Sequence, residues 1–149
     1  MKLKIAINSL LILMAFLGLG AISGGAVLIV SPTGALMGMP LSLLRTSPFH
    51  NFLIPGIFLF LVLGIAPCLL TYALIRKPAS KFAERLNCYR DMHWSWTFSI
   101  YTAFTLIAWI QLEMVFIQAI SWLHTFYIGL ALLILFVSLL PSVRNQYKR

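Results

Sequence analysis

Apolar residues in this chain come in four long runs, separated by segments that are polar or rich in turn formers. The first, 5–30, carries no charge over 26 residues, more than the roughly 20 a helix needs to cross a bilayer. Lys2 and Lys4 precede it, and Ala21-Ile22-Ser23 resembles the small-residue site at which a leader peptide is cut. Apolarity persists through Val30, beyond the usual core of a leader, so an uncleaved helix is expected. Pro32, Gly34, Gly38, Pro40 and Pro48 then forbid a continuous helix over 31–48. Leu36, Met37, Met39, Leu41, Leu43 and Leu44 keep that stretch apolar, which predicts an external loop on the membrane surface or folded back between helices. Pro40 would open a short turn over 41–45. Ser47-Pro48 reads as the N-cap and first residue of a second span, 49–75, kinked at Pro55-Gly56 and Pro67.

Residues 76–92 are polar, with a partly helical stretch over 79–88, and Trp94 and Trp96 mark the interface beyond them. The third and fourth runs, 95–119 and 122–140, meet without Gly or Pro. A single helix over 95–140 would be about 69 Å long at 1.5 Å per residue, far beyond a bilayer of ~30 Å, so a tight turn within 120–125 is forced. Pro141 stops the last helix. The expected fold is all-α, an integral membrane four-helix bundle forming one domain, 1–149.

Composition excludes a water-soluble alternative. Hydrophobic residues make up 61% and charged ones 9%, against roughly a quarter charged in soluble domains, and mean hydropathy is +0.97. Two cysteines make no disulfide framework. Eleven Lys and Arg face three acids, a net charge of +8. Lys2 and Lys4 lie at the start, Arg76, Lys77, Lys81, Arg85 and Arg90 in the central loop, and Arg144, Lys148 and Arg149 at the end; Arg45 alone lies elsewhere. Positive charge on alternate connections is the positive-inside pattern, which predicts cytoplasmic termini and a cytoplasmic central loop. That loop is suited to anionic lipid headgroups. Nucleic acid is not expected, because the charges track topology and form no basic face interleaved with aromatics.

The segments Ser31-Pro32-Thr33-Gly34, Gly38-Met39-Pro40-Leu41, Ser47-Pro48-Phe49 and Phe52-Leu53-Ile54-Pro55-Gly56 resemble a recurrent pattern in a family of small bacterial four-helix membrane proteins whose function is uncharacterised. The resemblance covers about a sixth of the chain. It implies a bacterial inner-membrane setting and an ordered external loop, and it assigns no chemistry.

Glu113 is the one acid inside an apolar run. An ionised acid in hydrocarbon is costly, so such a residue marks either a functional carboxyl or a hydrogen bond between helices. Trp109, Ile110, Phe116 and Ile117 around it are apolar, so its partner must come from another segment. Ser23, Arg45, His50, Asn51, His124 and Tyr127 lie at suitable depth. Two histidines and a glutamate are acceptable zinc ligands, but their spacing matches no ligand motif, and neither a metal nor a cofactor is expected. Gly20, Gly24 and Gly25 form a small-residue face on the first helix, for packing within the molecule or against a partner or second copy. Gln111 and Gln118 put a second polar face on the third helix, and Trp94, Phe98, Tyr101 and Thr105 make a helical stripe read as packed or lipid-facing.

No nucleophile with an arranged base is evident, so no catalytic residue is expected and an enzyme is disfavoured. Three functions remain in descending order: an accessory or interaction subunit, or membrane-protective protein; a small oligomeric transporter or proton-coupled carrier using Glu113; and a membrane-embedded lipid-modifying enzyme.

Overall fold

The computed structural model describes residues 2–149, which are helical throughout apart from loops and one isolated β-bridge. Four helices are long and apolar enough to cross a membrane: α1 (Leu3–Val30), α2 (Leu53–Arg76), α4 (Trp94–Ile117) and α5 (Trp122–Leu139). Two short helices, α3 (Lys81–Arg85) and α6 (Pro141–Gln146), lie with the basic segments. α1 packs on α2 and α5, and α4 packs on α5 and α2, so each long helix touches its chain neighbours. Leu10, Met14 and Leu17 of α1, Leu63 of α2, Leu106 of α4 and Ile134 of α5 are fully buried in one shared core.

Local chemistry sets where the helices begin and end. α2 starts at Leu53, four residues later than 49, because Ser47 does not cap it. The Ser47 hydroxyl instead donates to the Leu44 carbonyl and accepts from the Phe49 N–H. The Phe52 N–H donates to the Pro32 carbonyl, and Asn51 Oδ1 takes the Leu53 N–H, so the chain turns here before it becomes helical. Within α2, residues Leu61–Ile65 widen into a π-turn immediately before Pro67. Proline has no N–H to donate and its ring crowds the carbonyl four residues back, and the wider turn relieves both problems. Lys77, in the left-handed region, closes α2 through its N–H to the Ala73 carbonyl.

The turn between α4 and α5 occupies 118–121, with no glycine. Gln118 takes the left-handed conformation, with φ of 55°, and its amide donates to the Val115 carbonyl. Gln118 is therefore a helix stop and adds no polar stripe to α4. At the other end of α5 Leu140 is extended, and Pro141 both ends that helix and starts α6 at the position where its missing N–H costs nothing. The loop between α1 and α2 holds two 3-10 turns, Ala35–Met37 and Leu41–Leu44, with Pro40 just before the second. Position 34 needs glycine twice over: its φ is 76°, and a Cβ there would lie 2.3 Å from the Met39 carbonyl oxygen.

Candidate functional site

Glu113 and His124 face each other across the α4–α5 hairpin, with Oε2 and Nε2 3.8 Å apart. His124 sits in the first turn of α5, buried, and its Nδ1 accepts the Ser121 N–H at 3.1 Å. That acceptance leaves the neutral ring's proton on Nε2, the nitrogen 3.8 Å from the carboxylate. One turn before Glu113, the Trp109 indole N–H is buried and has no hydrogen-bond partner among the described residues. The Trp109 ring stacks on Phe58 of α2, with centroids 4.5 Å apart. At 3.8 Å the two groups are beyond hydrogen-bond distance, and the arrangement places an imidazole beside a carboxyl at the turn between two helices.

Of the other residues suggested for this site, Tyr127 lies on a different side of α5. Its hydroxyl reaches across to α1, 3.5 Å from where a Cβ on Gly20 would stand. Arg45 and His50 are exposed on the loop between α1 and α2. That loop does dock on the end of α4: the Thr46 hydroxyl bonds the Phe116 carbonyl, and Phe49 meets Phe116 edge to face. Ser23 is spent within α1, its hydroxyl bonded to the Leu19 carbonyl. Among the described residues no three of His, Cys, Asp and Glu come together.

At the opposite end of the helices the central loop and the chain's last residues form one hydrogen-bonded unit. The His93 N–H donates to the Tyr147 carbonyl, the Arg149 N–H donates to the Asp91 carbonyl, and Met92 bridges to Lys148. The Tyr147 hydroxyl, buried, donates to the Leu74 carbonyl, one of the last-turn acceptors that α2 cannot satisfy itself. Burial pushes that phenol up to about 12. Arg149 pairs with Glu84. Lys77 donates to the Gln146 carbonyl at 2.7 Å and lies over the Tyr147 ring, which commits it to the tail. Arg76, Lys81, Arg85 and Arg90 are exposed around this unit, as are Arg144 and Lys148.

Buried Asn87 holds the centre of the loop. It donates to the Met92 carbonyl at 2.9 Å and accepts from the Thr97 hydroxyl at 2.6 Å. Trp94 donates to the Pro78 carbonyl and Tyr101 to the Leu86 carbonyl, so the aromatic stripe of α4 is the surface on which the loop lies. Ser99 and Ser138 bond across α4 and α5 at 3.1 Å, and the Trp96 indole donates to the Ser138 carbonyl. Small polar residues near the same end of two spans are the one sequence signal for that tie. Nothing in the sequence singles out Asn87.

The glycines of α1 divide between neighbours. Gly25 is pressed on Gly56 and Phe60 of α2, and Gly18 on Gly64 and Cys68. Gly24 meets Leu59 of α2 less tightly, and Gly20 looks toward Tyr127 of α5.

Together these features define a multi-pass helical membrane protein with four apolar helices. No family model matches the chain, and neither characterised proteins nor solved structures give a significant match.

Proposed function

We propose that this protein is an accessory subunit of the bacterial cytoplasmic membrane: an N-in, C-in four-helix bundle whose basic end binds an acidic cytoplasmic segment of another membrane protein. The observation that carries this reading is the locked C-terminal segment. Membrane topology needs only positive charge on the inner side; it does not need that charge to be held rigidly. Here four separate ties fix the tail to the loop, and a fifth, from Tyr147, fixes it to the last turn of α2. Pre-organisation of this kind lowers the ordering cost of binding. The acids at this end are Glu84 and Asp91, and Glu84 is already paired, which leaves a surplus of exposed Arg and Lys.

The carrier reading has the Glu113–His124 pair in its favour. Yet His124 is committed to capping its helix, and the space between the four helices is filled by fully buried apolar side chains. A pathway would have to run between copies. The membrane-protective role shares the binding chemistry of the accessory reading and differs in the partner.

The test is photo-crosslinking in cells from positions 90 and 148, gentle extraction, and mass spectrometry of the intact complex. A stoichiometric protein with an acidic cytoplasmic segment, lost on Lys81→Glu/Arg85→Glu, supports the proposal. A chain that carries only lipid or copies of itself overturns it. In that case flux through proteoliposomes with Glu113→Gln becomes the decisive comparison.

A further inference from the structure

Where α5 gives way to α6 the backbone turns at extended Leu140 and leaves a hollow of about 270 Å³ in the corner. Leu139, Pro141, Arg144, Asn145 and Lys148 line it. From Pro141 onward these residues recur at i, i+3, i+4 and i+7, which puts them on one face of α6 and its continuation. Val143 and Tyr147 take the other face and are buried in the core shared by the long helices, which fixes the rotation of α6. The backbone bridge from Lys148 to Met92 holds the far end of that face. Neither Arg144 nor Lys148 has an acidic partner among the described residues, where the ion pairs are Glu84 with Arg149 and Glu113 with His124. Two unpaired cations and an amide therefore share one concave place.

The lining changes polarity along its length. Leu139 ends an apolar stripe on α5, Leu132, Phe136 and Leu139, at i, i+4 and i+7, each more than half exposed. Arg144, Asn145 and Lys148 lie just past the end of that stripe. Charge complementarity selects an anion, and the adjoining stripe selects one that carries hydrocarbon. A guanidinium beside an ammonium suits a phosphate, since Arg offers a planar fork of donors and Lys a point charge. No carboxylate lines the hollow to receive a choline or ethanolamine cation, which favours a headgroup of net negative charge. We propose that the hollow is a headgroup site for one anionic phospholipid from the leaflet at the basic end. Its phosphate lies between Arg144 and Lys148, Asn145 donates to an ester or glycerol oxygen, and its chains run along Leu139 and Phe136. Each cation near an anionic headgroup contributes about fivefold in affinity. Lys81 and Arg85, on which the partner proposal is tested, do not line the hollow, so either proposal can fail without the other.

The test is lipid titration of the full chain in dodecyl maltoside micelles, with bound molecules counted by native mass spectrometry. The probes are dioleoyl phosphatidylglycerol, dioleoyl phosphatidylcholine and glycerol phosphate. Phosphatidylglycerol should bind first, as a single adduct, about fivefold or more tighter than phosphatidylcholine. Arg144→Gln/Lys148→Gln should weaken that adduct about 25-fold. Lys81→Gln/Arg85→Gln removes the same charge outside the hollow and should change it less than about twofold. Asn145→Trp fills the hollow while keeping both cations, and should also weaken the adduct; it gives an independent reading should the glutamine pair fold poorly. Equal effects of the two glutamine pairs would reduce the site to the general attraction of a basic surface and overturn the proposal. An adduct untouched by either hollow variant in a folded chain overturns it too. So does displacement of the lipid at equal concentration by glycerol phosphate, which would make a soluble phosphate ester the ligand, or by polyglutamate, which would make the hollow part of a protein-binding surface.

Discussion

Gly25 and Gly129 are helical glycines in opposite surroundings, and replacing each by alanine separates packing from helix propensity. A Cβ on Gly25 would lie 2.6 Å from the Phe60 nitrogen and 2.8 Å from both the Gly56 oxygen and the Phe60 Cα. All three are main-chain atoms of α2, and none can swing aside as a side-chain tip can. Carbon contacts settle near ~3.5–4.0 Å, so α1 and α2 must part locally by about 1 Å. Alanine gains about 1 kcal/mol over glycine in a helix interior. Forced overpacking costs typically about 1–3 kcal/mol, and parting the helices also loosens Ala21 and Gly18 nearby. Gly25→Ala should therefore lose about 1–2 kcal/mol net. At position 129 there is no clash, and Gly129→Ala should gain about 0.5–1 kcal/mol. The assay is reversible unfolding in mixed micelles by SDS titration, read by tryptophan fluorescence with helix content in parallel. Equal shifts for the two variants, or a stabilised Gly25→Ala, would refute the close glycine crossing of α1 and α2.

Three further outcomes follow from the ties at the helix ends. Burial holds His93 below its ordinary 6.5, with Glu84 opposing the shift and Arg149 adding to it. The folded state thus favours the neutral ring, whose contribution is complete above pH 6.5 and is lost as pH falls through the lowered value. Because its Nδ1 accepts the Ser95 N–H, acidification should lower the protection of the Ser95 and Trp96 amides relative to their intrinsic exchange rates at each pH, and His93→Asn should abolish that loss of protection. His124→Ala removes the acceptor for Ser121 and the donor toward Glu113, and should cost about 1–2 kcal/mol in the SDS titration. Glu113→Gln keeps an acceptor and should cost less than about 0.5 kcal/mol; equal losses would mean that an ion pair, not a neutral tie, closes the hairpin. Tyr147→Phe deletes the bond to Leu74, worth about 1 kcal/mol, and should raise proteolysis within 77–93 roughly fivefold. An unchanged rate would show that the tail is held without it.

How far the sequence could be read depended on the scale of each feature. The four spans were legible because membrane thickness imposes a length that no local preference overrides, and their ends fall within four residues of the expected ones. The turn between α4 and α5 was demanded by that same length, but its position was not, because a left-handed glutamine leaves no mark where glycine would have. Ser47-Pro48 carried the right letters for a helix start, yet a longer-range bond from Phe52 to Pro32 moved that start to Leu53. At the candidate site Glu113 was conspicuous as a lone acid, and His124 was one of six partners consistent with depth. Rotation about the helix axis chose among them, and depth carries no information about rotation.

The two ends of the molecule pose different physical problems. At the basic end, Tyr147, Lys77 and Asn87 satisfy backbone groups of segments distant in sequence, so the loop and tail are ordered by directional bonds. Such order is independent of the apolar core and can be removed by single polar substitutions while the spans persist. Near the α4–α5 turn, order comes from shape: glycine contacts hold α1 to α2, and the consequence is the vacant side of α5. A partner that recognises the basic end would therefore act on a part of the scaffold that the glycine contacts do not set. Lys81→Glu/Arg85→Glu should disturb partner binding and leave the SDS unfolding midpoint of the spans unchanged. A shifted midpoint would mean that α1, which touches α5 along one side and α6 near its basic end, couples the two ends.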